Sequence, residues 1–593
     1  MLNFLSELKL ILKSHTILFF SVLSLIIITG FIQASSLFGI MPIVEFAING
    51  NLNDGNNVIQ YISNFFLKMN FDINLLSLCF FYFSIIILKI IFTLTTSYFS
   101  NILSFTIYKN LIDRQLSFLL KSKWSHMSNV DHGILANSIL KESEKANIGF
   151  DAVVSGISNI FTILTYFVVA FYISIELTLS ILTLSSILYF LPSYFIGKLI
   201  YKIMLIHTNS TNLIQKKIFE MLKGIKVIFS YNKTSDYQRS FNIEFNKILK
   251  SGLQFNMIRI FNFQILEPIS IFIVILSIYF GKYIFLLSNT DIFLFLFVIY
   301  KSVGIKSVLI GDFNRIKGSQ PPIEQINTII SNAAKNIDKR DKGKKILKFK
   351  NIKFKDVYFR YNKNNEYILK SLNFTIHSNQ KVAFVGPSGA GKSTLIDLII
   401  GLLKPSKGKI FINNYDNFFS DSSWLDVIGY VPQNSFLFNA SIKDNLLWSN
   451  PKCTYEEMVS ACKDAYALDF INNTSFGFDT IIGDNGNRFS GGQLQRLCLA
   501  RALIKKPQIL ILDEATSALD SESELKIKKS LDSLKLKLTL IVITHKLNTI
   551  LDSDKIFIVD DNKIIKQGSY KELSADKENI LNNLIKKNNE FKD

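Results

Sequence analysis

Six long apolar stretches constrain the fold of this 593-residue chain more than any other feature. They occupy residues 16–31 (continuing toward 48), 73–94, 157–175, 176–200, 269–287 and 291–310. Each is near or above the roughly 20 residues that a helix needs to cross a bilayer, once tilt is allowed for. With 49% hydrophobic residues, the chain is also more apolar than a globular interior requires. The sequence therefore predicts an all-α membrane domain with six spanning helices.

The charges of the loops predict the orientation of these spans. Two long loops, between spans two and three and between spans four and five, are rich in Lys and Arg, whereas the other loops are short or nearly uncharged. Cytoplasmic loops carry such an excess of basic residues. We therefore expect both long loops and both termini to face the cytoplasm. Helical periodicity within the long loops predicts that the spanning helices continue well beyond the bilayer as paired rods.

The first residues of the chain have a different pattern. Leu2, Leu5, Leu8 and Ile11 recur at helical spacing, with charged residues elsewhere on the helix surface. This pattern predicts an amphipathic helix lying in the membrane interface, and it is too polar for the apolar part of a signal peptide. A solvated amphipathic helix is the alternative.

Charge and cysteine content limit the kinds of partner. The formal net charge of +19 could reflect nucleic acid, anionic lipid headgroups or cytoplasmic loops. Because basic residues crowd the loops between apolar stretches, we expect a lipid bilayer and no nucleic acid. The four cysteines show no CxxC spacing, which indicates neither a zinc site nor a disulfide framework. They are Cys79, Cys453, Cys462 and Cys498.

The composition changes after the sixth span. Residues 331–349 form a charged connector without an apolar face, and short apolar runs such as "KVAFVG", "QILILDE" and "TLIVITH" follow it. Such runs, separated by helical stretches, predict buried strands of an α/β domain. The predicted organisation is a membrane domain over 1–330, a linker over 331–349 and an α/β P-loop domain over 350–593.

The run "KVAFVGPSGAGKSTL" fits a strand, a phosphate loop and a helix start. Glycines let the backbone approach phosphate oxygens closely enough for N–H groups to point inward. Lys392 would then reach the β and γ phosphates, and Ser393 would hold Mg²⁺. The predicted nucleotide-binding residues are Gly386, Pro387, Ser388, Gly389, Ala390, Gly391, Lys392, Ser393 and Thr394.

Two further strand ends carry candidate catalytic residues. "QILILDE" ends in Asp513, which can hold the magnesium shell, and Glu514, which is placed to polarise an attacking water. Two adjacent carboxylates also occur in solvated turns, but the phosphate loop in the same domain favours the catalytic interpretation. "TLIVITH" places His545 where an imidazole can contact the γ phosphate, although a histidine at a strand end is more often structural.

A second anion nest lies in "RFSGGQLQR", residues 488–496. A serine and two glycines run into a helix-forming segment, so their backbone N–H groups can bind a phosphate. The chain thus contains one phosphate loop and one separate anion-binding motif.

The ordered motifs "GPSGAGKST", "YVPQN", "RFSGGQLQR", "ILILDEATSALD" and "ITH" resemble the ATP-binding cassette (ABC) ATPases. Six preceding spans with two long cytoplasmic loops are similar to the exporter-type half-transporters of that family, which have the type I exporter (type IV) membrane fold. The resemblance covers the whole chain, and SGGQ is its most family-specific motif. It implies an ATPase that moves substances across the bacterial inner (plasma) membrane, with ATP and Mg²⁺ as cofactors.

The resemblance also implies residue roles. Tyr361 would stack on adenine, and His545 would be the switch histidine. Gln433 would be a catalytic residue and a Mg²⁺ ligand that links the metal and water site to the membrane domain. Asp520 would lie at the interface between two cassettes. The signature motif would comprise Ser490, Gly491, Gly492 and Gln493.

In this family the phosphate loop and the signature motif belong to different active sites. The Ser490 hydroxyl and the glycine N–H groups would close over the γ phosphate held by the phosphate loop of a partner chain. A chain with one of each motif therefore needs a second chain, most simply a copy of itself. A heterodimer with a related half-transporter is the alternative.

Two departures and two coupling segments complete the comparison with the family pattern. Phe489 stands where Leu is usual, and we expect this change to affect packing rather than phosphate contact. Asp484 stands where exporters commonly have Glu, which puts the strength of coupling to the membrane loops in question. Short coupling helices are expected near 123–127 and 222–230. Ordinary bends in long helices explain both stretches equally well.

The sixth span offers candidate substrate contacts. Lys301, Lys306 and Arg315 lie in or after it, and Lys282 lies near the outer face. Intramembrane cations often serve function, and Lys301 suits an anionic headgroup such as a phosphate or pyrophosphate. The alternative is that Lys301 pairs with an acid such as Glu267 or snorkels to the interface.

The nature of the cargo is the least determined prediction. "IMPIVEFAI" in the first span and the basic sixth span are similar to bacterial flippases of lipid-linked oligosaccharides and related glycolipids. We therefore expect ATP-driven flipping or export of an anionic amphiphile. A multidrug or lipid A exporter would share every cassette motif, and a peptide exporter is disfavoured because no peptidase region precedes the first span. An ATP-gated regulator or channel is disfavoured by intact Glu514 and His545.

Overall fold

The structure is a computed structural model that describes residues 15–50, 52, 57–338, 348–362, 365–415, 423–514, 521–534, 538–544 and 550–575. The chain divides into two units, Met1–Ser122 with Asn129–Ile337 and Lys123–Ser128 with Asp338–Asp593. The amphipathic helix predicted at the start of the chain lies outside the described residues.

Long helices form the first unit. They are α1 (Thr16–Phe38), α2 (Met41–Asn49), α3 (Asn57–Lys68), α4 (Leu75–Leu120), α5 (Trp124–Met127, assigned to the second unit), α6 (His132–Asn137), α7 (Ser143–Ile173), α8 (Ile175–Ser230), α9 (Thr234–Gln264), α10 (Leu266–Tyr279) and α11 (Asn289–Lys335). Two π-helical turns, Ser138–Glu142 and Phe280–Ile284, precede α7 and follow α10.

Within the described residues, six segments are long and apolar enough to cross a membrane, which confirms the predicted number of spans. They are Thr16–Ala47, Leu75–Leu120, His132–Ile173, Ile175–Ser230, Thr234–Ile284 and Asn289–Lys335. The first of them is interrupted between α1 and α2, where Pro42 occupies the first turn of α2. A proline is tolerated there because the first turn of a helix has no use for its missing N–H.

The helices extend far beyond the thickness of a bilayer. The longest, α8, has 56 residues, which corresponds to about 84 Å at 1.5 Å per residue, against a hydrocarbon thickness of about 30 Å. Helices α8 and α9 pack against each other on either side of the turn at 231–233. The predicted continuation of the spans as paired rods is confirmed.

The two predicted coupling stretches have different structures. Residues 124–127 form the separate short helix α5, whereas residues 222–230 are the last turns of α8. The first residues of the predicted linker, 331–335, are helical because α11 continues to Lys335. Residues 339–347 of the linker lie outside the described part.

A buried carboxylate organises the helices around the first π-helical turn. Glu142 is fully buried. Its Oε1 accepts hydrogen bonds from Asn137 Nδ2 (3.2 Å) and Lys145 Nζ (2.8 Å), and its Oε2 accepts one from Thr208 Oγ1 (3.4 Å). A buried charge is tolerated when it is paired and hydrogen-bonded in this way. The contacts join the π-helical turn and α6 to α7 and α8.

The second unit is an α/β domain with two sheets. Its strands are β1 (Asn351–Phe359), β2 (Leu369–His377), β3 (Lys381–Val385), β4 (Lys407–Ile412), β5 (Ile428–Val431), β6 (Ile509–Asp513), β7 (Thr539–Ile543), β8 (Lys555–Asp560) and β9 (Lys563–Gly568). Its helices are α12 (Lys392–Ile400), α13 (Ser423–Asp426), α14 (Ile442–Leu447), α15 (Tyr455–Asp464), α16 (Leu468–Asn472), α17 (Gly491–Ile504), α18 (Ser521–Leu534) and α19 (Tyr570–Ser574). The predicted fold class is confirmed.

The sheet order determines where the site forms. The larger sheet has the order β5-β6-β7-β3-β8-β9 and is parallel except for β9, and the smaller sheet is antiparallel with the order β2-β1-β4. The three strands predicted from sequence are β3, β6 and β7, and every residue in them is buried. Because their carboxyl ends share one edge, the loops that follow β3 and β6 lie near each other, on either side of β7.

Close packing at one helical glycine provides a test of the first unit. A Cβ at Gly133 would lie 2.9 Å from the Lys216 backbone on α8, whereas a Cβ at Gly156 would meet nothing within 4 Å. We expect Gly133→Ala to lower the thermal unfolding midpoint in detergent, with an overpacking cost of about 1–3 kcal/mol. The matched change Gly156→Ala should leave the midpoint unchanged or raise it, since Ala favours a helix over Gly by about 1 kcal/mol. Equal effects of the two changes would contradict the packing.

Candidate nucleotide and metal site

The phosphate loop lies between β3 and α12. Gly386 can have no side chain, because a Cβ there would lie 1.9 Å from the Val559 carbonyl oxygen. Gly391, which precedes α12, has φ +90°, and a Cβ there would lie 2.8 Å from the Leu369 side chain. The two glycines therefore allow a loop conformation that other residues would block.

Lys392 holds this loop from inside. The side chain is buried, and its Nζ donates hydrogen bonds to the carbonyl oxygens of Gly386 and Pro387, both at 2.8 Å. Burial lowers the pKa of Lys392, while the charges of Glu514 and Asp513 oppose that shift. The ammonium group thus lies within the loop where phosphate oxygens are predicted to bind.

Tyr361 is adjacent to the same helix. Its hydroxyl is 3.3 Å from Thr394 Oγ1, and its ring packs edge-on against Phe359 with centroids 5.1 Å apart. The side chain is 43% exposed, which leaves ring surface available to a base. The structure therefore brings Tyr361 to the phosphate loop, and its predicted stacking on adenine stays a prediction.

Asp513 is a buried carboxylate with one unsatisfied oxygen. Tyr430 donates a hydrogen bond to its Oδ2 (3.4 Å), but its Oδ1 is buried without a hydrogen-bond partner among the described residues. Burial, and then the charge of Glu514, raise the pKa of Asp513. Such an oxygen fits a divalent cation, and Mg²⁺ prefers a few protein oxygens together with phosphate and water.

Among the described residues, no group of three or more His, Cys, Asp or Glu side chains could form a cage around a metal. Mg²⁺ does not need such a cage when phosphates supply part of its shell. The residues predicted to hold it are Asp513, Gln433 and Ser393, which is the first polar side chain after Lys392 on α12.

Glu514 has an unusual backbone conformation next to this carboxylate. Its φ is +46°, a region that costs a residue other than glycine about 1–3 kcal/mol. Its N–H donates to the Ile543 carbonyl (3.1 Å), and Gln433 Nε2 donates to its Oε2 (2.6 Å). The structure thus brings the predicted catalytic pair Gln433 and Glu514 into direct contact.

The signature motif forms the amino terminus of α17. Ser490 caps this 14-residue helix: its Oγ accepts from the Gln493 N–H (3.3 Å), and Gln493 Oε1 accepts from the Ser490 N–H (2.9 Å). Gly491 is exposed, and a Cβ there would meet nothing within 4 Å. A capped, open helix start with aligned N–H groups is a suitable anion site.

The two departures from the family pattern have clear contacts. The Phe489 ring packs against Phe470 with centroids 6.1 Å apart, in line with an effect on packing. Asp484 accepts a hydrogen bond from Asn439 Nδ2 (2.6 Å). Both substitutions are accommodated within the second unit.

The predicted site residues fall into two groups. In the described part of the chain, no hydrogen bond or ion pair joins residues 490–493 to residues 386–394. His545 and Asp520 lie outside the described residues, so their predicted roles remain predictions.

Sequence reasoning missed two residues beside the site. Tyr430 contacts Asp513 from β5, and Asp397 lies on α12, where burial and then the charge of Asp513 raise its pKa to about 6. The tyrosine lies three residues before Gln433 in "YVPQN", and the acid lies one turn after Ser393. Their spacing was available in the sequence, but only the sheet order brings β5 next to β6.

Comparisons with known proteins identify the family. Residues 17–300 match the model of the ABC transporter transmembrane region, and residues 369–517 match that of the ABC transporter. This chain belongs to the ABC transporter family. It is an exporter half-transporter in which a transmembrane domain and an ATP-hydrolysing domain are fused. Half-transporters of this kind function as dimers in the membrane.

Curated relatives of this ABC transporter cover most of its length. It is 31% identical over 81% of its length to the heterocyst differentiation ATP-binding protein HepA of Nostoc, covering 79% of that protein. It is also 31% identical over 76% of its length to a Staphylococcus aureus protein that is named provisionally as a multidrug export ATP-binding/permease protein, covering 78% of it. A solved bacterial Atm1-family ABC exporter with ATP bound has the same fold, with a TM-score of 0.81, 20% identity and coverage of 96% and 98% of the two chains.

The unsatisfied oxygen of Asp513 generates a test of the metal assignment. We expect Asp513→Asn to raise the Mg²⁺ concentration needed for half-maximal ATPase activity by at least the ~10-fold that is typical of losing even an outer-shell partner. Because the raised pKa shows that folding disfavours the ionised carboxylate, the variant should also unfold at a higher temperature in EDTA near pH 7.

The matched control is Asp469→Asn, which alters an exposed carboxylate on α16. It should change neither the Mg²⁺ dependence nor the unfolding temperature. An Asp513→Asn variant that unfolds at a lower temperature and keeps the wild-type Mg²⁺ dependence would contradict the assignment.

Proposed function

We propose that this ABC transporter flips or exports an anionic, lipid-linked amphiphile across the bacterial inner membrane, with both termini in the cytoplasm and with ATP hydrolysed at two composite sites of a homodimer. ATP-driven export is the activity of its family; the cargo, the orientation and the homodimer are the proposal. The observation that supports this proposal most directly is that the nucleotide site has two separate halves, a phosphate loop before α12 and a signature motif at the start of α17.

The arrangement of side chains supports a hydrolytic mechanism. Lys392 and the N–H groups of the loop bind the phosphates, and Gln433 orients the Glu514 carboxylate to accept a hydrogen bond from the attacking water. Asp513, Ser393 and Gln433 would hold Mg²⁺, which when bound would neutralise charge on the phosphates. His545 would contact the γ phosphate, and Asp520 would line the interface between cassettes.

The two separate halves of the site support the proposed dimer. Ser490 caps an exposed helix start, and no contact in the described chain joins it to its own phosphate loop. Two copies with the same membrane orientation, related by a two-fold axis along the membrane normal, would place each helix start over the γ phosphate of the other copy. The bound ATP molecules would then lie between the two chains and favour closure.

The membrane unit supports an anionic cargo. Lys301 follows the start of α11 at Asn289 by 12 residues, so it lies about 18 Å along the helix. Its Nζ lies 5.3 Å from the Phe297 ring centroid, and among the described residues it forms no ion pair with Glu267 or another carboxylate. Lys306 Nζ lies 5.1 Å from the Tyr189 ring centroid. The alternative in which Lys301 is neutralised by Glu267 is therefore not supported.

A multidrug exporter is the second candidate, because the Staphylococcus aureus relative is named for that activity. A lipid A or peptide exporter would have the same cassette. An ATP-gated regulator or channel would not need the contact between Gln433 and Glu514.

The first test combines hydrolysis and transport in liposomes. We expect the wild-type protein to translocate a fluorescent lipid-linked sugar with ATP and Mg²⁺. Glu514→Gln should lower ATP turnover and translocation by about 10²–10⁴-fold, which is the usual contribution of a general base, while ATP binding is retained. Phosphate release, fluorescent-ATP binding and leaflet-specific quenching measure the three quantities.

The control is Glu456→Gln, which alters an exposed glutamate on α15 and should have wild-type turnover. Wild-type turnover no higher than that of Glu514→Gln would contradict a pump. Translocation of cationic drugs but not of the lipid-linked sugar would replace the proposed cargo with the multidrug alternative.

Mixed dimers test the composite sites. Differently tagged Lys392→Ala and Ser490→Ala chains, each inactive alone, should regain the activity of one site when paired, because one composite site then carries both changes and the other carries neither. Dual-tag purification and phosphate release measure this.

The control pairs wild-type chain with the double variant Lys392→Ala/Ser490→Ala, which puts one change into each composite site and should be inactive. If each chain instead completed its own site, the results would be reversed: the control would be active and the first pair inactive.

A further inference from the structure

The membrane unit contains a cavity between α7, α8, α9 and α11. Its volume is about 420 Å³. Apolar side chains, among them Met204 and Phe255, form its wall, and three cations, Lys145, Arg259 and Arg315, also line it. A volume of a few hundred cubic ångströms with apolar walls and a few convergent polar groups is typical of a small-ligand site.

The position along α11 indicates the depth of this cavity. Arg315 follows Asp291, near the start of α11, by 24 residues, which is about 36 Å of helix at 1.5 Å per residue and exceeds the hydrocarbon thickness of about 30 Å. The cavity therefore lies at the level of the headgroups on the side that the loop charges assign to the cytoplasm. Lys301, by contrast, lies near the middle of the bilayer.

The cations differ in how they are held. Lys145 Nζ donates to Glu142 Oε1 (2.8 Å), and Arg315 is paired with Asp151 (3.2 Å) and with the buried Asp312. These carboxylates orient the two side chains without lining the cavity. Arg259 has no carboxylate within ion-pair distance in the described chain, so its charge is available to an anion.

Asn314 places an unsatisfied hydrogen-bond acceptor at this cavity. It lines the cavity, is 3% exposed, and its Oδ1 is buried without a hydrogen-bond partner among the described residues. Buried polar atoms in folded proteins nearly always have a partner. An acceptor of this kind calls for a donor on the ligand, such as a hydroxyl group near the anionic group.

Two glycines keep the space open on the same helix face. Gly311 and Gly318 flank Asn314 and Arg315 at helical spacing, and both line the cavity. A Cβ at Gly311 would meet nothing within 4 Å, and one at Gly318 would contact Met204 at 3.6 Å and Phe255 at 3.8 Å. A larger side chain at 318 would therefore occupy the cavity from its apolar wall.

We propose that this cavity binds the phosphate group and a neighbouring hydroxyl of a lipid-like amphiphile entering from the cytoplasmic leaflet. Arg259 supplies the uncompensated charge, Lys145 and Arg315 supply oriented N–H donors, and Asn314 accepts from the hydroxyl. The apolar wall receives the first methylene groups of the chain. This inference rests on the proposed function, since an exporter of anionic amphiphiles needs a headgroup site at this level.

The test measures equilibrium binding to the purified full-length protein in detergent. The probe is a fluorescent lysophosphatidate, which carries a phosphate, a neighbouring hydroxyl and one acyl chain. Its competitors are a monoacylglycerol (no phosphate), dodecyl phosphate (no hydroxyl) and glycerol phosphate (no chain). We expect each to compete at least about tenfold less well than unlabelled lysophosphatidate. The monoacylglycerol loses the charge-assisted hydrogen bonds, dodecyl phosphate loses the hydrogen bond to Asn314, and glycerol phosphate loses the burial of the chain.

Variants assign the effect to the cavity. Arg259→Gln and Gly318→Leu should each weaken lysophosphatidate binding by about tenfold or more, while the matched charge change Arg239→Gln, at an exposed position on the same helix α9, leaves it unchanged. Asn314→Leu should remove the preference for lysophosphatidate over dodecyl phosphate. Unchanged unfolding temperatures show that the variants are folded.

The outcomes separate the site from the proposed function. Equal binding by the wild-type, Arg259→Gln and Gly318→Leu proteins would overturn the site, even if translocation in liposomes is observed. Competition by glycerol phosphate as strong as by lysophosphatidate would also overturn it, because the ligand would then be a soluble anion. Binding that depends on Arg259 without any ATP-driven translocation would support the site and overturn the proposed function.

Discussion

The interior of a bilayer contains no water, so every backbone N–H and C=O group of a spanning segment must find its hydrogen-bond partner within the protein. The membrane unit meets this constraint with long helices, and its candidate spans have 32 to 56 residues. In the described part, the first span breaks between α1 and α2, and a π-helical turn follows α10 near the end of the fifth apolar stretch. The helical form of the spans is therefore what the bilayer imposes on this unit.

Two buried aspartates, one in each unit, differ in how completely their oxygens are hydrogen-bonded. In the membrane unit Asp312 is fully buried, and it is paired with Arg315 and accepts hydrogen bonds from Ser155 (2.8 Å) and Asn159 (3.2 Å). Asp513 in the ATPase domain is also buried, but one of its oxygens has no partner in the described chain. A buried carboxylate is tolerated when it is paired and hydrogen-bonded, whereas an unsatisfied one costs stability and is retained where a ligand completes it.

Much of this architecture was predictable, because the relevant signals are local in sequence. The six spans require only length and hydropathy, and the phosphate loop requires only its glycine spacing between an apolar strand and a helix. The contact of Gln433 with Glu514 was implied by family resemblance rather than derived, since 81 residues separate them. Tyr430 and Asp397 were missed because their importance depends on strands that are distant in sequence. The cavity near Asn314 was missed because its lining comes from four helices.

The sequence by itself determined that the chain spans a membrane with six helices and that it carries an ATPase domain of the ABC family, and it predicted the residues of each half of the nucleotide site. These properties depend on local periodicity and on spacings within short motifs. Only the tertiary structure decided which acid oxygen is left unsatisfied and which cations converge on one cavity. Those properties depend on how side chains from distant elements share space and solvent, and no local pattern specifies that.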